Sequence, residues 1–256
     1  MTKTSAIPSS FTDCETARTP LTQGELDSIL DLHSAFLKNK PGGERADLHR
    51  CDLSGLDLAG RDLSNADLGG ARLVGVILRG SRVSHASLFA ANLCGANLEH
   101  AEFRRSDLRG ACLRNARLSD AVFVEADLRS GRVVEHHAEG EKHLSFVAGG
   151  PADAGNGIAL RTDLNWAILE NARLIRADLS FADLGRATLT GADLSEANLT
   201  GARLQGAVLT GACLKYASLR DADLWEAALD AVDLSMTDLT GATLERTPAA
   251  GRKASY

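Results

Sequence analysis

Apolar and small residues recur along this chain with a period of five. Between residues 46 and 128 every fifth position holds an apolar side chain, nearly always Leu, beginning with Leu48 and Leu53. The same spacing resumes one residue out of phase at Leu164 and runs to Leu244. Two positions before each of these residues stands a second regular site, most often Ala. The repeated unit is therefore Ala, a polar residue, Leu and two variable residues.

A period of five fits neither the 3.6-residue repeat of a helix nor the two-residue repeat of a strand. Leu at every fifth position would drift around a helix and form no apolar stripe. The period instead predicts a solenoid with flat sides, Leu and Ala pointing inward and a corner every five residues. Glycine suits the unusual backbone angles of a corner. It occupies many of the predicted corner positions, at Gly55, Gly75, Gly95, Gly110, Gly191, Gly201, Gly211 and Gly241.

Repeats such as Ala66-Asp67-Leu68 and Ala192-Asp193-Leu194 resemble the A(D/N)LXX motif of the pentapeptide repeat family. The resemblance covers residues 46–130 and 162–246. It implies an all-β solenoid, a right-handed quadrilateral β-helix with four repeats per coil and about 8 coils at the roughly 4.8 Å spacing of paired strands. The residues we predict in its core are Leu68, Leu88, Phe103, Leu108, Phe123, Leu184, Leu199, Leu204 and Leu219.

A helix is predicted in front of the first coil. Thr22 and Glu25 have the spacing of a capping box, and apolar residues follow at helical spacing from Leu26. We expect this helix to cover the open end, because an uncapped solenoid exposes apolar rungs. An end coil can also accommodate Leu56 and Arg61, which occupy small inward sites. The predicted segments are a disordered tail 1–21, a capping helix 22–43, a first block 44–130, an insertion 131–157, a second block 158–246 and a tail 247–256.

The insertion contains a predicted β-hairpin, with strands over 132–137 and 142–147 around a turn at 138–141. We interpret it as a loop that leaves the solenoid at a corner, either simply tolerated or used for binding. His136, His137 and His143 invite a metal-site hypothesis, but adjacent strand residues point to opposite faces. We therefore predict no metal site, and a metal-dependent activity on the inserted loop stays a remote alternative.

Composition narrows the class of protein. The 256 residues carry a formal net charge of −6, which argues against a nucleic-acid binder or a polybasic membrane anchor. No apolar run is long enough to span a membrane, and the N-terminus resembles no secretory signal. The five cysteines are scattered without CxxC spacing, which predicts neither a disulfide framework nor a zinc knuckle. We therefore expect a cytoplasmic, bacterial-type protein without cofactors, and the absence of catalytic motifs predicts that it is not an enzyme.

Two outward rows are candidate interaction surfaces if coils stack every 20 residues. One is an acidic row, formed by Asp47, Asp67, Asp107 and Asp127, with a weaker one formed by Asp163, Asp183 and Asp223. The other is a largely apolar row in the second block, formed by Ile168, Thr188, Val208 and Ala228. Trp166 and Trp225 lie outside the inward sites, and exposed Trp is enriched at interfaces.

These rows support two hypotheses for the function. The first is a rigid scaffold that binds another protein. The second follows from the resemblance, because gyrase-binding members of the family are proposed to mimic DNA with an acidic rod, which would make a topoisomerase the partner. No apolar helix follows Leu244, so an exposed last coil could pair with a second copy of the chain. For the core, we expect Leu199→Ala to be costly and Asp193→Ala to be nearly silent.

Overall fold

The computed structural model describes residues 20–138, 141–148 and 158–244, with the backbone alone for 132–138, 141–148 and 158–159. It contains helix α1 (Gln23–Leu37) and three strands, β1 (Gly131–Ala138), β2 (Glu141–Ala148) and β3 (Ile158–Leu160). Between α1 and β1, and again after β3, the chain forms a solenoid held by isolated parallel bridges.

The bridges arrange the solenoid in four columns, one on each side. Within each block, every bridge joins the residue before an inward Leu to the equivalent residue 20 positions later. We name each column by its first residue. The Asp47 column continues through 67, 87, 107, 127, 178, 198, 218 and 238, the Asp52 column through 72, 92, 112, 163, 183, 203, 223 and 243, the Asp57 column through 77, 97, 117, 168, 188, 208 and 228, and the Asp62 column through 82, 102, 122, 173, 193, 213 and 233.

The interior is filled by one large and one small side chain per repeat. The rings of Phe103 and Phe123, on successive coils, stack with centroids 4.8 Å apart and planes 4° from parallel. Such close packing makes each rung sensitive to a change of volume. All nine residues assigned to the core are fully buried, namely Leu68, Leu88, Phe103, Leu108, Phe123, Leu184, Leu199, Leu204 and Leu219.

Each corner depends on two residues of the repeat. The second residue after Leu adopts a positive φ, for example 66° at Gly191 and 58° at His85, which explains the glycines at this position. The polar residue before Leu stabilises the same turn, because its side-chain oxygen accepts the backbone N–H two residues later. The Asp67 carboxylate, for example, accepts from Gly69 N at 2.9 Å. The Asp or Asn of the motif is thus a turn residue of the Asx type.

Helix α1 begins at the predicted capping box. The Thr22 side chain accepts from the backbone N–H of Glu25, and the Glu25 carboxylate accepts from the backbone N–H of Thr22 at 2.8 Å. Leu26 and Leu30 are buried in the same apolar cluster as the first inward residues of the solenoid. The helix ends at Leu37, where Lys38 is the C-cap residue. Its apolar face therefore lies on the open end of the first coil.

Polar contacts fix the helix on that coil. The Gln23 amide donates to the carbonyl of Asp57 at 2.9 Å and accepts from its N–H at 3.0 Å. Arg61, in a small inward site, reaches out of the coil and donates to the Asp27 carboxylate at 2.6 Å. His33 is fully buried, and its Nδ1 accepts from the backbone N–H of Ala46 at 3.1 Å. The first coil thus accommodates Arg61 through a partner on α1.

The insertion forms a three-stranded antiparallel sheet. Strands β1 and β2 pair in a hairpin register that places His136 opposite His143, and β3 pairs with the other edge of β1. The sequence did not predict β3. Residues 139–140, in the turn, and the glycine-rich stretch 149–157 lie outside the described residues.

The chain returns to the solenoid through one buried threonine. Thr162 takes the small inward site after Ser130, and its backbone N–H donates to Ser130 Oγ at 2.9 Å. Its hydroxyl donates to the Arg129 carbonyl at 2.9 Å and accepts from Gly110 N at 2.8 Å. Asp127 then pairs with Asp178, and the columns continue.

The sequence predicted no disulfide framework, but the structure contains one disulfide. Cys94 and Cys112 are joined by a disulfide, with Cα atoms 5.8 Å apart and a sequence separation of 18. The two residues lie on adjacent coils, which the absence of a CxxC motif could not reveal. The Sγ of Cys213 lies 3.1 Å from Ser195 Oγ, within hydrogen-bond distance. The compartment of the protein stays a prediction.

The last described coil is more open than the rest. Its inward residues Leu229, Leu234 and Leu239 are only partly buried, Leu244 is 42% exposed and Met236 is 75% exposed. The two tails, 1–19 and 245–256, lie outside the described residues. Pairing with a second copy of the chain at this coil therefore stays a prediction. Within the part of the chain that is described, no helix has the length and apolar character needed to cross a membrane.

Candidate interaction surfaces

The predicted acidic row lies along one side of the rod. Asp47, Asp67, Asp107 and Asp127 share the Asp47 column, which Asp178 continues after the insertion. The backbone ladder thus joins acidic residues of the two blocks in one column, whereas the sequence predicted a separate row for each block. The weaker row of Asp163, Asp183 and Asp223 belongs instead to the adjacent Asp52 column.

Much of this acidic charge is neutralised by arginine. Arg109 makes two hydrogen bonds to the Asp107 carboxylate, at 2.8 and 2.6 Å, and also lies 3.7 Å from Asp127. Arg129 holds Asp127 in the same way, at 2.9 and 2.6 Å, and lies 3.6 Å from Asp178. The hydrogen bonds to Asp107 raise the pKa of the Arg109 guanidinium above its ordinary value. From Asp107 to Asp178 this side is therefore a ladder of alternating charges rather than a row of free carboxylates.

The predicted apolar row occupies the Asp57 column. Ile168 is 38% exposed and Val208 is 36% exposed. Thr188, which lies between them, and Ala228, which follows Val208, are half-buried. We call these four residues the apolar column. The corner beyond it carries Thr190 and Thr210 with Gly191 and Gly211, so that edge is uncharged on two successive coils.

The acidic and apolar rows lie on opposite sides of the rod. The order of columns around a coil is Asp47, Asp52, Asp57 and Asp62, so the Asp47 and Asp57 columns face away from each other. One flat partner surface cannot contact both. The two sets of predicted site residues are therefore separate candidate sites.

The two tryptophans lie three coils apart along the corner between the Asp52 column and the apolar column. A cleft of about 550 Å³ opens there, and both Trp166 and Trp225 line it. We call it the corner cleft. Trp225 was predicted from the sequence to lie on an interaction surface, and the structure adds Trp166 to the lining of the same cleft. The remaining lining residues are Asn165, Asp183, Gly185, Arg186, Arg203, Gln205, Gly206, Asp223 and Glu226.

The corner cleft is polar as well as aromatic. The Arg186 guanidinium lies over the Trp166 ring, 4.8 Å from its centroid. The Gln205 amide donates to the Asp223 carboxylate. The cleft therefore combines ring faces with groups of both charges, an arrangement suited to recognition rather than to general acid–base chemistry.

Nothing in the described residues points to a metal centre. No group of three or more His, Cys, Asp or Glu in the part of the chain that was searched could hold an ion. The side chains of His136, His137 and His143 lie outside the described residues, so the metal hypothesis for the insertion stays untested.

Known proteins share the repeat. The family model for pentapeptide repeats matches the chain in eight copies, over residues 44–80, 86–123, 161–195, 187–225 and 214–246. No curated protein sequence matches it. Among solved structures, it is similar to HetL, a pentapeptide repeat protein involved in heterocyst differentiation regulation from the cyanobacterium Nostoc sp. strain PCC 7120. The identity is 30%, the TM-score is 0.52, and 89% of this chain and 95% of HetL are covered.

A second similar structure is full-length QnrB1, a plasmid-mediated fluoroquinolone resistance protein. It is 21% identical, with a TM-score of 0.43 and coverage of 78% of this chain and 89% of QnrB1. This likeness concerns the fold alone. The repeat model and the likeness to HetL imply a right-handed β-helix. The match to the repeat model and the identity to HetL show that this chain belongs to the pentapeptide repeat family.

Proposed function

We propose that this protein is a non-catalytic scaffold that binds another protein through the apolar column. The observation that carries the proposal is the exposure of Ile168 and Val208 on a flat side of the rod, with Thr188 between them. A row of apolar side chains can bury apolar surface on binding with little loss of conformational entropy, because the solenoid already fixes their backbone. A rigid ladder thus presents a preorganised surface to a partner with a flat apolar face.

The test is capture of partners by the purified protein and two variants. Val208→Arg places a charge in the centre of the apolar column. Ser218→Arg introduces the same charge on the same coil but on the opposite side of the rod. We expect the wild type and Ser218→Arg to capture a partner protein that Val208→Arg does not capture. The purified partner should likewise bind the wild type and Ser218→Arg more tightly than Val208→Arg. Equal capture by all three would contradict the proposal.

The insertion is a separate candidate for the binding surface. A variant lacking 131–157 belongs in the same capture experiment. Partner capture that survives this deletion but not Val208→Arg places binding on the side of the rod. Loss with the deletion alone would assign binding to the insertion instead and would contradict a role for the apolar column.

The alternative function, a DNA mimic that binds a topoisomerase, has weaker support. Duplex DNA presents about one charge per 1.7 Å of axis. The column that would imitate it has Asp107 and Asp127 in ion pairs with Arg109 and Arg129. We therefore expect no change in gyrase supercoiling when the protein is titrated to micromolar excess. Inhibition or protection of gyrase in that assay would favour the alternative over the scaffold.

A further inference from the structure

The corner cleft crosses four coils of the second block, and its floor is made by glycine. Gly185 and Gly206 occupy positions that hold longer side chains on the other three coils of this corner. A Cβ at Gly185 would lie 2.4 Å from Asn165 Oδ1, so a larger residue would displace the Asn165 amide. At Gly206 a Cβ would lie 3.4 Å from the Arg186 stem, in ordinary contact, but φ there is +64°. The two glycines keep the corner open between the tryptophans.

Two charged side chains of the cleft lack a charged partner. Among the described residues, neither the Arg186 guanidinium nor the Glu226 carboxylate makes an ion pair. The other charges are engaged: Asp183 accepts from Gly185 N at 3.2 Å and lies 4.0 Å from Arg203, and Asp223 accepts from Gln205. The free cation stands beside Trp166 at one end, and the free anion adjoins Trp225 at the other.

The backbone of the corner is already paired. The N–H groups of Trp166, Arg186 and Gly206 donate to carbonyls of the next coil, at 3.1, 2.8 and 2.8 Å. A ligand strand cannot extend the sheet here, so recognition falls to side chains. The indole N–H groups of Trp166 and Trp225 have no hydrogen-bond partner within the described part of the chain, and they are suited to donate to ligand carbonyls.

The spacing of the free charges selects a ligand conformation. Arg186 and Glu226 are two coils apart, which is about 10 Å at roughly 4.8 Å per coil. A polyproline II helix has three residues per turn and rises about 3.1 Å per residue, so residues i and i+3 face the same way about 9 Å apart. In a β-strand, residues i and i+3 point to opposite faces. Polyproline segments also expose unpaired carbonyls and dock in aromatic grooves.

We infer that the corner cleft binds a polyproline II segment of a partner protein that carries an acidic and a basic residue three positions apart. The acidic residue pairs with Arg186, the basic residue pairs with Glu226 over Trp225, and the intervening residues lie against the glycine floor. This inference rests on the proposed function, because the ligand is part of a protein.

The test uses tryptophan fluorescence, since both tryptophans of the chain line the cleft. The probe is the blocked peptide acetyl-Pro-Glu-Pro-Pro-Arg-Pro-amide, titrated into the full-length protein. We expect a saturable change in emission, with binding about tenfold weaker for the peptide in which Gln replaces both Glu and Arg. The Arg186→Glu variant is expected to lose binding to the peptide that carries Glu and Arg. It should instead prefer a peptide in which Arg replaces Glu, so that the motif reads Arg-Pro-Pro-Arg. Arg173→Glu, the same charge change on the Asp62 column, leaves binding unchanged.

Equal binding of charged and uncharged peptides, or no emission change with any peptide, would overturn the inference. A response to a neutral trisaccharide such as cellotriose, with none to the peptides, would assign the cleft to carbohydrate instead. The cleft inference and the scaffold proposal can fail independently of each other. If no peptide binds but Val208→Arg still loses the partner, only the cleft inference fails. If the peptides bind as expected but Val208→Arg keeps the partner, only the role of the apolar column fails.

Discussion

Cys94 and Cys112 are diagonal neighbours on adjacent coils, with their Cα atoms 5.8 Å apart. The same separation of 18 residues recurs in the ion pair of Glu99 with Arg117 and in the hydrogen bond between Gln205 and Asp223. The residue that follows an inward Leu therefore lies against the residue that precedes the inward Leu of the next coil. The disulfide therefore joins two positions that contact each other repeatedly along the rod.

The disulfide is expected to stabilise the first block. It closes a loop of about 18 residues, and restricting the unfolded chain over such a loop contributes about 3 kcal/mol. The Cys94→Ser, Cys112→Ser double variant should lose this amount relative to the oxidised protein in urea unfolding. Dithiothreitol should lower the stability of the wild type to that of the variant and leave the variant unchanged. Equal stability of the oxidised and reduced wild type would contradict a stabilising role.

The inward leucines are expected to dominate the stability of the second block. Leu199 is fully buried, so Leu199→Ala should lower the free energy of unfolding by about 2–5 kcal/mol through the lost contacts and the cavity. The sequence predicted that Asp193→Ala is nearly silent, but the Asp193 carboxylate accepts from Ser195 N at 3.0 Å and from Ser195 Oγ at 2.6 Å. We expect it to cost about 1 kcal/mol. Chemical denaturation compares the two, and equal losses would contradict the inward and outward assignment.

The return of the chain to the solenoid is expected to depend on the Thr162 hydroxyl. Thr162→Val keeps the shape of the side chain but leaves the Arg129 carbonyl and Gly110 N without this partner. The Gly110 N–H also donates to the Arg129 carbonyl at 3.3 Å, so the variant loses the two bonds of the hydroxyl rather than stranding either group. A hydrogen bond contributes about 0.5–1.5 kcal/mol, so stability should fall by about 1–3 kcal/mol in urea unfolding. Thr210→Val, at a corner of the second block, is the matched control and should change little. A Thr162→Val variant as stable as the wild type would show that the hydroxyl contributes nothing.

The contact between α1 and the first coil is expected to weaken in acid. Burial lowers the pKa of His33 below its ordinary value, and its Nδ1 accepts from Ala46 N, which requires the neutral ring. The unfolded chain binds a proton near pH 6.5 while folded His33 does not, so stability is present above that pH and is lost as the pH falls. His33→Asn, which keeps an acceptor but does not titrate, should flatten this part of the pH profile of unfolding. His85→Asn, at an exposed corner, should keep the wild-type slope.

The period of five was enough to predict the solenoid, because only an inward Leu and Ala at that spacing can fill a narrow core. It also placed the glycines at corners, where the backbone has positive φ. The role of Asp before Leu was missed. Its frequency was read as surface charge, whereas residues such as Asp67 close the turn beneath the corner.

Contacts between coils were harder to predict, since they depend on where each outward side chain points. The disulfide joins residues 18 positions apart on adjacent coils, and Arg109 lies 3.7 Å from Asp127 on the next coil. Trp166 and Trp225 line one cleft although they are three coils apart. The weaker acidic row was predicted as an isolated feature, but its members Asp183 and Asp223 line the cleft. Strand β3 had no such signal, because three residues are too few for a periodic pattern.

Because the chain re-enters the solenoid at Thr162, the alignment of the two blocks does not depend on the length of the insertion. The chain departs after Ser130 and resumes in the very next inward site, so the rows of the second block continue those of the first whatever lies between. An insertion at this corner can therefore grow, shrink or be replaced without rotating one half of the surface against the other. The insertion and the outer faces are free to diverge independently while the leucine interior stays the same.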